Sequence, residues 1–341
     1  MSTAEGARPA GGPGSRRRIF LGAFGEPGHA FPMLALGAEL TRRGHDVMYE
    51  TWSRWREPVE AAGMRFVPAP ERPTFPTRER AGEPDAPVVL SATETRQAIA
   101  AFGPDVVVHD ILTVAPSLAG ELEGVPVATL IPHVYPVGQS GFAPYAFGAR
   151  MPRTQLGRTM WRVFDRPVRA GLRQGRAELN ASRERLGLPP VTRMHGGLSE
   201  QLCMVGTLPA LEYPRPWPAH VHVVGPLMWE PPFEPVDPPP GDQPLVLVAP
   251  STAQDPNHRL LRAALAGLAG EPVRVLATWN RRALQGPVSV PANARLVEWI
   301  SYAKTMPGCA LVICHAGHGT LVRALASGRP VLAVPHIGDM A

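Results

Sequence analysis

Residues 314–320 read Cys-His-Ala-Gly-His-Gly-Thr, closing the apolar run Leu311–Cys314 and leading into a stretch with helical spacing. Glycines at 317 and 319 let a backbone come close to a ligand, and a helix start offers N–H groups at a positive dipole end. Such a turn can hold a diphosphate. It also suits the tight strand-to-helix turn of any α/β protein. A second set of reactive types lies near the N-terminus. His29 tips the loop Gly22-Ala-Phe-Gly-Glu-Pro-Gly-His29, just before Pro32, which suits an early helix turn. An imidazole of ordinary pKa, about 6.5, can serve as a base near neutrality if a carboxylate orients it and stabilises the imidazolium. Asp110, ending the run Asp105–Asp110, is the expected carboxylate. The alternative gives the two separate duties: His29 bonded to local backbone at a helix entry, and Asp110 capping the next turn.

Other polar and aromatic residues sit where strands end. Ser251 and Thr252 follow one strand and can either donate to phosphate or cap a helix. Trp299 follows another and can stack on a flat base or simply fill the core. Asp339 ends the last strand and can bind sugar hydroxyls or close a turn. His133 follows the run Pro126–Ile131 and can line a pocket or be a satisfied structural histidine, and the Gly-, Pro- and aromatic-rich loop Tyr135–Met151 fits either part of a binding pocket or an irregular connection. Phe24, His133, Tyr135 and Phe142 are the candidate acceptor contacts. Gly22, Gly25 and Gly28, with Glu50 ending the second strand, resemble a dinucleotide fingerprint, but the spacing is G-x-x-G-x-x-G rather than G-x-G-x-x-G. His315 and His318 lack the acid or cysteine partners of a metal site, so no metal is expected.

These residues are carried by repeated βα units. Strands are expected at Arg18–Ala23, Asp46–Glu50, Met64–Pro68, Asp105–Asp110 and Pro126–Ile131, with helices at Phe31–Arg43, Glu94–Phe102 and Pro116–Leu122 between them. A long Arg-rich helical region follows at Gln155–Leu186. The pattern restarts after a proline-dense stretch that is expected to act as a semi-rigid spacer. The expected fold class is α/β: two Rossmann-like, doubly wound parallel-sheet domains facing a cleft. Residues 1–17 form a tail, 18–225 the first domain, 226–244 the linker and 245–341 the second domain. The second domain ends on a strand with no helix to cover it, so it is expected to be incomplete, the chain being truncated.

Composition removes several chemistries. The 341 residues carry a net charge of +5, and Lys304 is the only lysine, so neither a P-loop lysine nor a Schiff base to pyridoxal phosphate is available. The arginines read as scattered apart from Arg16-Arg17-Arg18, arguing against nucleic acid. Three cysteines without a CxxC pair fit a reduced compartment. With no signal-peptide core and no run long enough to span a bilayer, the protein is expected to be cytoplasmic.

Two segments carry a family resemblance: GEPGHAFPMLALGAELTRRGHDV near the N-terminus, and VEWISYAKTMPGCALVICHAGHGTLVRALASGRPVLAVPHIGDMA at the C-terminus. In this order, either side of a proline linker, they resemble family 1 of the glycosyltransferases. These are the UDP-glycosyltransferase-like enzymes of GT-B fold, and the nearest group is the bacterial natural-product (macrolide) type. The resemblance implies an inverting transfer of sugar from a UDP- or dTDP-sugar to a hydroxyl of a small hydrophobic acceptor. It gives His29 the base, Asp110 its acidic partner, Trp299 the nucleobase, His315, Gly317, Gly319 and Thr320 the diphosphate, and Asp339 the donor-sugar hydroxyls. The helix start after His318 belongs to the same diphosphate site. No cofactor beyond the nucleotide sugar is implied, and the molecule is expected as a monomer or homodimer. Ser301-Tyr302 stands where relatives commonly have Pro-Gln, and Met340 where many have glutamine. A non-catalytic auxiliary partner and a nucleotide-sugar epimerase are the alternatives within the same fold.

Overall fold

The computed structural model describes residues 15–71, 86–145, 147–233, 235–252, 255, 257–281 and 283–335. The first sheet has seven parallel strands: β1 (Arg18–Gly22), β2 (Asp46–Thr51), β3 (Arg65–Pro68), β4 (Val106–Asp110), β5 (Val127–Ile131), β6 (Cys203–Val205) and β7 (Val221–Val223). Their order is β3-β2-β1-β4-β5-β6-β7. Helices α1 (Pro27–Arg42), α2 (Arg56–Ala61), α3 (Ala86–Phe102), α4 (Ala115–Leu122), α5 (Gln155–Trp161) and α6 (Asp165–Arg185) complete this unit. Strand alternation sends β1 side chains to both faces. Ile19 and Leu21 join Met33, Leu34, Val47 and Tyr49 on one side, while Phe20 joins Ile99, Phe102, Val107 and Ala119 on the other. A sheet buried on both faces is the doubly wound arrangement.

The second sheet has five parallel strands: β8 (Leu245–Ala249), β9 (Arg274–Thr278), β10 (Ala294–Val297), β11 (Leu311–Cys314) and β12 (Val331–Ala333). Their order is β10-β9-β8-β11-β12, with α7 (Arg259–Gly267), α8 (Tyr302–Thr305) and α9 (His318–Ala326) between them. Alternation is again plain. Leu245, Leu247 and Ala249 pack with Met306, Val312 and Ala324, and Val248 packs with Leu261, Leu265 and Val275.

In each sheet the chain reverses its winding direction once, between β1 and β4 and between β8 and β11. Open α/β sheets bind ligands beyond the carboxyl ends of strands at such points. The loops carrying His29 and Asp110 flank the first reversal, and those carrying Ser251 and His315 flank the second.

Three features go beyond the sequence reading. The stretch expected as a semi-rigid spacer is tied at both ends: Trp229 packs edge-on against Phe31 of α1, with ring centroids 5.1 Å apart, and the Glu230 carboxylate accepts from the Ala303 N–H of α8. The arginines are not simply scattered. Arg166, Arg169, Arg173 and Arg176 recur every three or four residues along α6, which places them on one side. Finally, α9 spans His318–Ala326, so its first turn takes in Gly319 and Thr320.

Candidate active site

β1 and β4 are hydrogen-bonded neighbours, with Gly22 opposite His109, so the loops leaving them meet at one edge. His29 lies in the first turn of α1, where Pro27 sets the helix entry. Its Nδ1 stands 2.7 Å from Oδ1 of Asp110, whose side chain is 1% exposed against 17% for His29. The other carboxylate oxygen of Asp110 accepts from the Leu112 N–H at 3.2 Å and the Thr113 hydroxyl at 3.4 Å. A carboxylate held this way accepts a hydrogen bond from the Nδ1–H and leaves the ring's lone pair on Nε2, where a proton can be taken up.

A buried network fixes the turn beneath this pair. The Ser199 N–H donates to the Thr129 hydroxyl at 2.9 Å, and that hydroxyl lies 2.8 Å from Nε2 of His109. Nδ1 of His109 reaches the carbonyls of Asp110, at 3.0 Å, and Thr113. With Nδ1 donating and Nε2 accepting, the ring is neutral, and burial pushes its pKa down in agreement. His109 was not singled out in the sequence; its alternation into an apolar strand made it look like core.

Around His29 are three aromatic groups. Phe24 lies edge-on at 6.2 Å and His133 at 6.3 Å between ring centroids. Tyr145 stands over His133 at 5.7 Å, its hydroxyl 3.1 Å from Nδ1. The structure thus brings Phe24 and His133 to His29, with Tyr145, which the sequence reading did not single out, against His133. Tyr135 and Phe142 are not brought here. Tyr135 is 7% exposed, packed on Trp217 within the core of Ile131, Cys203 and Val205. Phe142 packs on Tyr213, with Arg158 over its ring. Loop sequences carry no periodicity to say which aromatic turns inward.

Two of the three glycines of the resembled dinucleotide fingerprint serve packing, and Gly28 has open space around it. A Cβ on Gly22 would lie 2.4 Å from Pro116 of α4, and one on Gly25 2.1 Å from Trp52. Glu50 is buried too, accepting from the Thr95 hydroxyl of α3 at 2.8 Å, and burial pushes its pKa up to about 8. It does not sit as a ribose ligand would.

On the second sheet β8 and β11 are neighbours, with Ala249 opposite Cys314, so Ser251, Thr252 and the His315 turn leave at one level. Nδ1 of His315 lies 3.2 Å from the Ala249 carbonyl, and its ring covers Gly317, where a Cβ would fall 2.1 Å from Nε2. Gly317 is thus required by His315 itself. A Cβ on Gly319 would meet nothing within 4 Å, so room remains above that residue. The α9 helix opens with the N–H groups of His318, Gly319 and Thr320, and its first closing bond is Leu321 N–H to Gly317 O at 3.0 Å. The His318 side chain is nearly buried, with Nε2 3.3 Å from the Gly206 carbonyl beyond β6, and so contacts the first domain.

Among the described residues, non-glycine residues with left-handed φ are Asp255, His258, Asn280, Arg281 and Ala316. All follow the carboxyl ends of β8, β9 or β11, where strained backbone marks a ligand clamp more often than chance. Sequence reading had no signal for this. Trp299, two strands from β8, packs on Phe233 at 5.7 Å, and the Arg281 guanidinium covers both rings at 5.1 and 5.4 Å. Asp339 lies outside the described residues. No group of three or more His, Cys, Asp or Glu able to hold a metal occurs among the described residues, and no described helix is long and apolar enough to cross a membrane.

Residues 261–341 match the family model described as "Erythromycin biosynthesis protein CIII-like, C-terminal domain". The 4'-demethylrebeccamycin synthase of Lentzea aerocolonigenes is 29% identical over 92% of this chain and 82% of its own length. The O-mycaminosyltylonolide 6-deoxyallosyltransferase of Streptomyces fradiae is 30% identical over 94% and 81%. Among solved structures, the glycotransferase of kitacinnamycin superposes with a TM-score of 0.72 at 19% identity, covering 95% of this chain and 82% of the other. The glycosyltransferase VinC, solved in complex with dTDP, superposes with a TM-score of 0.62 at 18% identity, covering 94% and 81%. These last two share the GT-B fold. With both sheets and the full-length relatives in agreement, the chain belongs to the UDP-glycosyltransferase-like family of GT-B glycosyltransferases, in the group of natural-product biosynthesis, and is a glycosyltransferase.

Proposed function

We propose that the protein transfers a sugar from an NDP-sugar to a hydroxyl of a small hydrophobic acceptor, with inversion at the anomeric carbon. The His29–Asp110 contact carries this reading: a short bond from Nδ1 to a buried carboxylate leaves Nε2 basic and aimed by a fixed ring. Nε2 takes the acceptor proton as its oxygen attacks the anomeric carbon, and Asp110 stabilises the imidazolium. One base and one direct displacement invert the centre. The bond from the anomeric carbon to the diphosphate breaks with its electron pair, so negative charge grows on the leaving phosphate. The α9 N–H groups at Gly319 and Thr320, with the turn at Gly317 and the His315 ring, are preorganised to meet that charge without a metal. Ser251 and Thr252 flank the same turn, and Trp299 with Arg281 forms the flat surface for a base. UDP or dTDP fits this surface; VinC, which has the same fold, was solved with dTDP.

Phe24, His133 and Tyr145 favour an apolar, partly aromatic acceptor. A base oriented by a buried carboxylate also favours catalysis over a non-catalytic auxiliary role, which has no use for one. The test is NDP release from a panel of nucleotide sugars, with and without aglycone acceptors. Acceptor-dependent release that His29→Ala abolishes supports the proposal. Release by folded protein that ignores His29→Ala removes the assigned base.

A further inference from the structure

The linker joins the two candidate half-sites through side chains that no part of the proposed chemistry uses. Trp229 packs edge-on against Phe31, two residues beyond His29 on α1, and Phe31 is backed by Trp55 at 4.9 Å. The same Trp229 offers its carbonyl to Nη2 of Arg323 on α9 at 3.3 Å. Glu230 then grips the second domain. Its carboxylate accepts from the Ser301 hydroxyl and from the Ala303 N–H, with both oxygens 3.2 Å from that nitrogen, and it lies 4.0 Å from Nε of Arg323. Lys304 Nζ closes the strap on the Phe233 carbonyl at 2.9 Å. Arg323 and Glu230 are both less than one-fifth exposed, so the pair is sheltered from solvent screening.

We propose that Trp229 and Glu230 are positioning residues, a two-sided strap that sets the distance between the His29 end of α1 and the start of α9. The inference rests on the functional reading above: one helix bears the base and the other holds the leaving diphosphate. Transfer needs the acceptor oxygen near attack distance from the anomeric carbon, and a misplacement of about 1 Å costs on the order of a hundredfold in rate. Donor binding needs only the second domain. Loosening the strap therefore lowers kcat for transfer while leaving donor binding in place. The His318 contact with Gly206 is a second tie between the domains, but it fixes one point, whereas the strap fixes the rotation of both helices.

The experiment compares wild type with Trp229→Ala, Trp229→Phe and Glu230→Gln. Trp229→Ala is expected to lower kcat about tenfold or more, with KM for the nucleotide sugar and affinity for the free NDP within about twofold. Trp229→Phe keeps an aromatic edge for Phe31 and restores most of the rate. A geometry readout runs beside it. The three native cysteines are buried, so spin labels at Glu60→Cys and Glu271→Cys, exposed sites on the two domains, report the inter-domain distance alone. The distribution is expected to be narrow in wild type and broad in Trp229→Ala. Unchanged kcat together with an unchanged distribution overturns the strap, as does loss of NDP affinity in step with kcat. A broadened distribution in a protein that transfers no sugar from any donor keeps the strap and removes the functional reading.

Discussion

The smallest unit of the proposal is one imidazole, one carboxylate and the bond between them. Asp110→Asn keeps the shape of the partner but offers an amide where the ring needs an anion, so the imidazolium loses its stabilisation. Transfer is expected to fall by about a hundred- to ten-thousandfold in kcat, with little change in donor KM, read from initial rates. A second carboxyl acts on stability instead. Glu50 has a folded pKa of about 8 against an ordinary 4.5, so the folded state holds a proton that the unfolded chain releases. Its contribution is therefore complete below about pH 4.5 and is lost as pH rises through about 8. Glu50→Gln removes the titration while keeping an acceptor for Thr95. The variant should gain on wild type between pH 5 and pH 9 in chemical denaturation, by up to a few kcal/mol. An equal pH trend in both proteins would mean that Glu50 does not hold that proton.

At the scale of elements, the turn between β11 and α9 separates two jobs given to glycine. Gly317 lies under the His315 ring, so Gly317→Ala must push that ring away or shift the turn. It is expected to weaken NDP binding and to lower stability. Gly319 has open space around it. Gly319→Ala is expected to stabilise α9 by up to about 1 kcal/mol, since alanine favours helix, while donor affinity falls at least tenfold because the methyl takes the room meant for phosphate. Titration calorimetry with UDP and dTDP, beside thermal melts, checks both outcomes. Retained affinity in a stabilised Gly319→Ala protein would move the diphosphate away from this helix start.

For the whole molecule, much of the architecture was legible before any coordinates. Apolar runs such as Val106–Val108 and Leu245–Val248 can only be strands buried on both faces, and the segments between them have helical spacing. His29 and Asp110 were legible for the same reason, since strand ends in one parallel sheet share an edge. What escaped depended on contacts between distant residues or on backbone angles. Tyr145 rather than Tyr135 reaches His133, Trp229 reaches Phe31 across nearly two hundred residues, and Ala316 adopts a left-handed φ. Hydropathy and spacing encode none of these. The spacing set Gly22 and Gly25 apart from a dinucleotide fingerprint but did not show what they do, which is to admit Pro116 and Trp52 close to the backbone. If His29, oriented by Asp110, deprotonates an acceptor while the β11–α9 turn holds the departing NDP, the two roles separate in acceptor-dependent NDP release by wild type and His29→Ala, paired with the NDP affinity of both. Release is expected in wild type, with loss of at least a thousandfold in the variant and NDP affinities within about threefold of each other. Transfer that survives the substitution, or NDP affinity that vanishes with it, would contradict those roles.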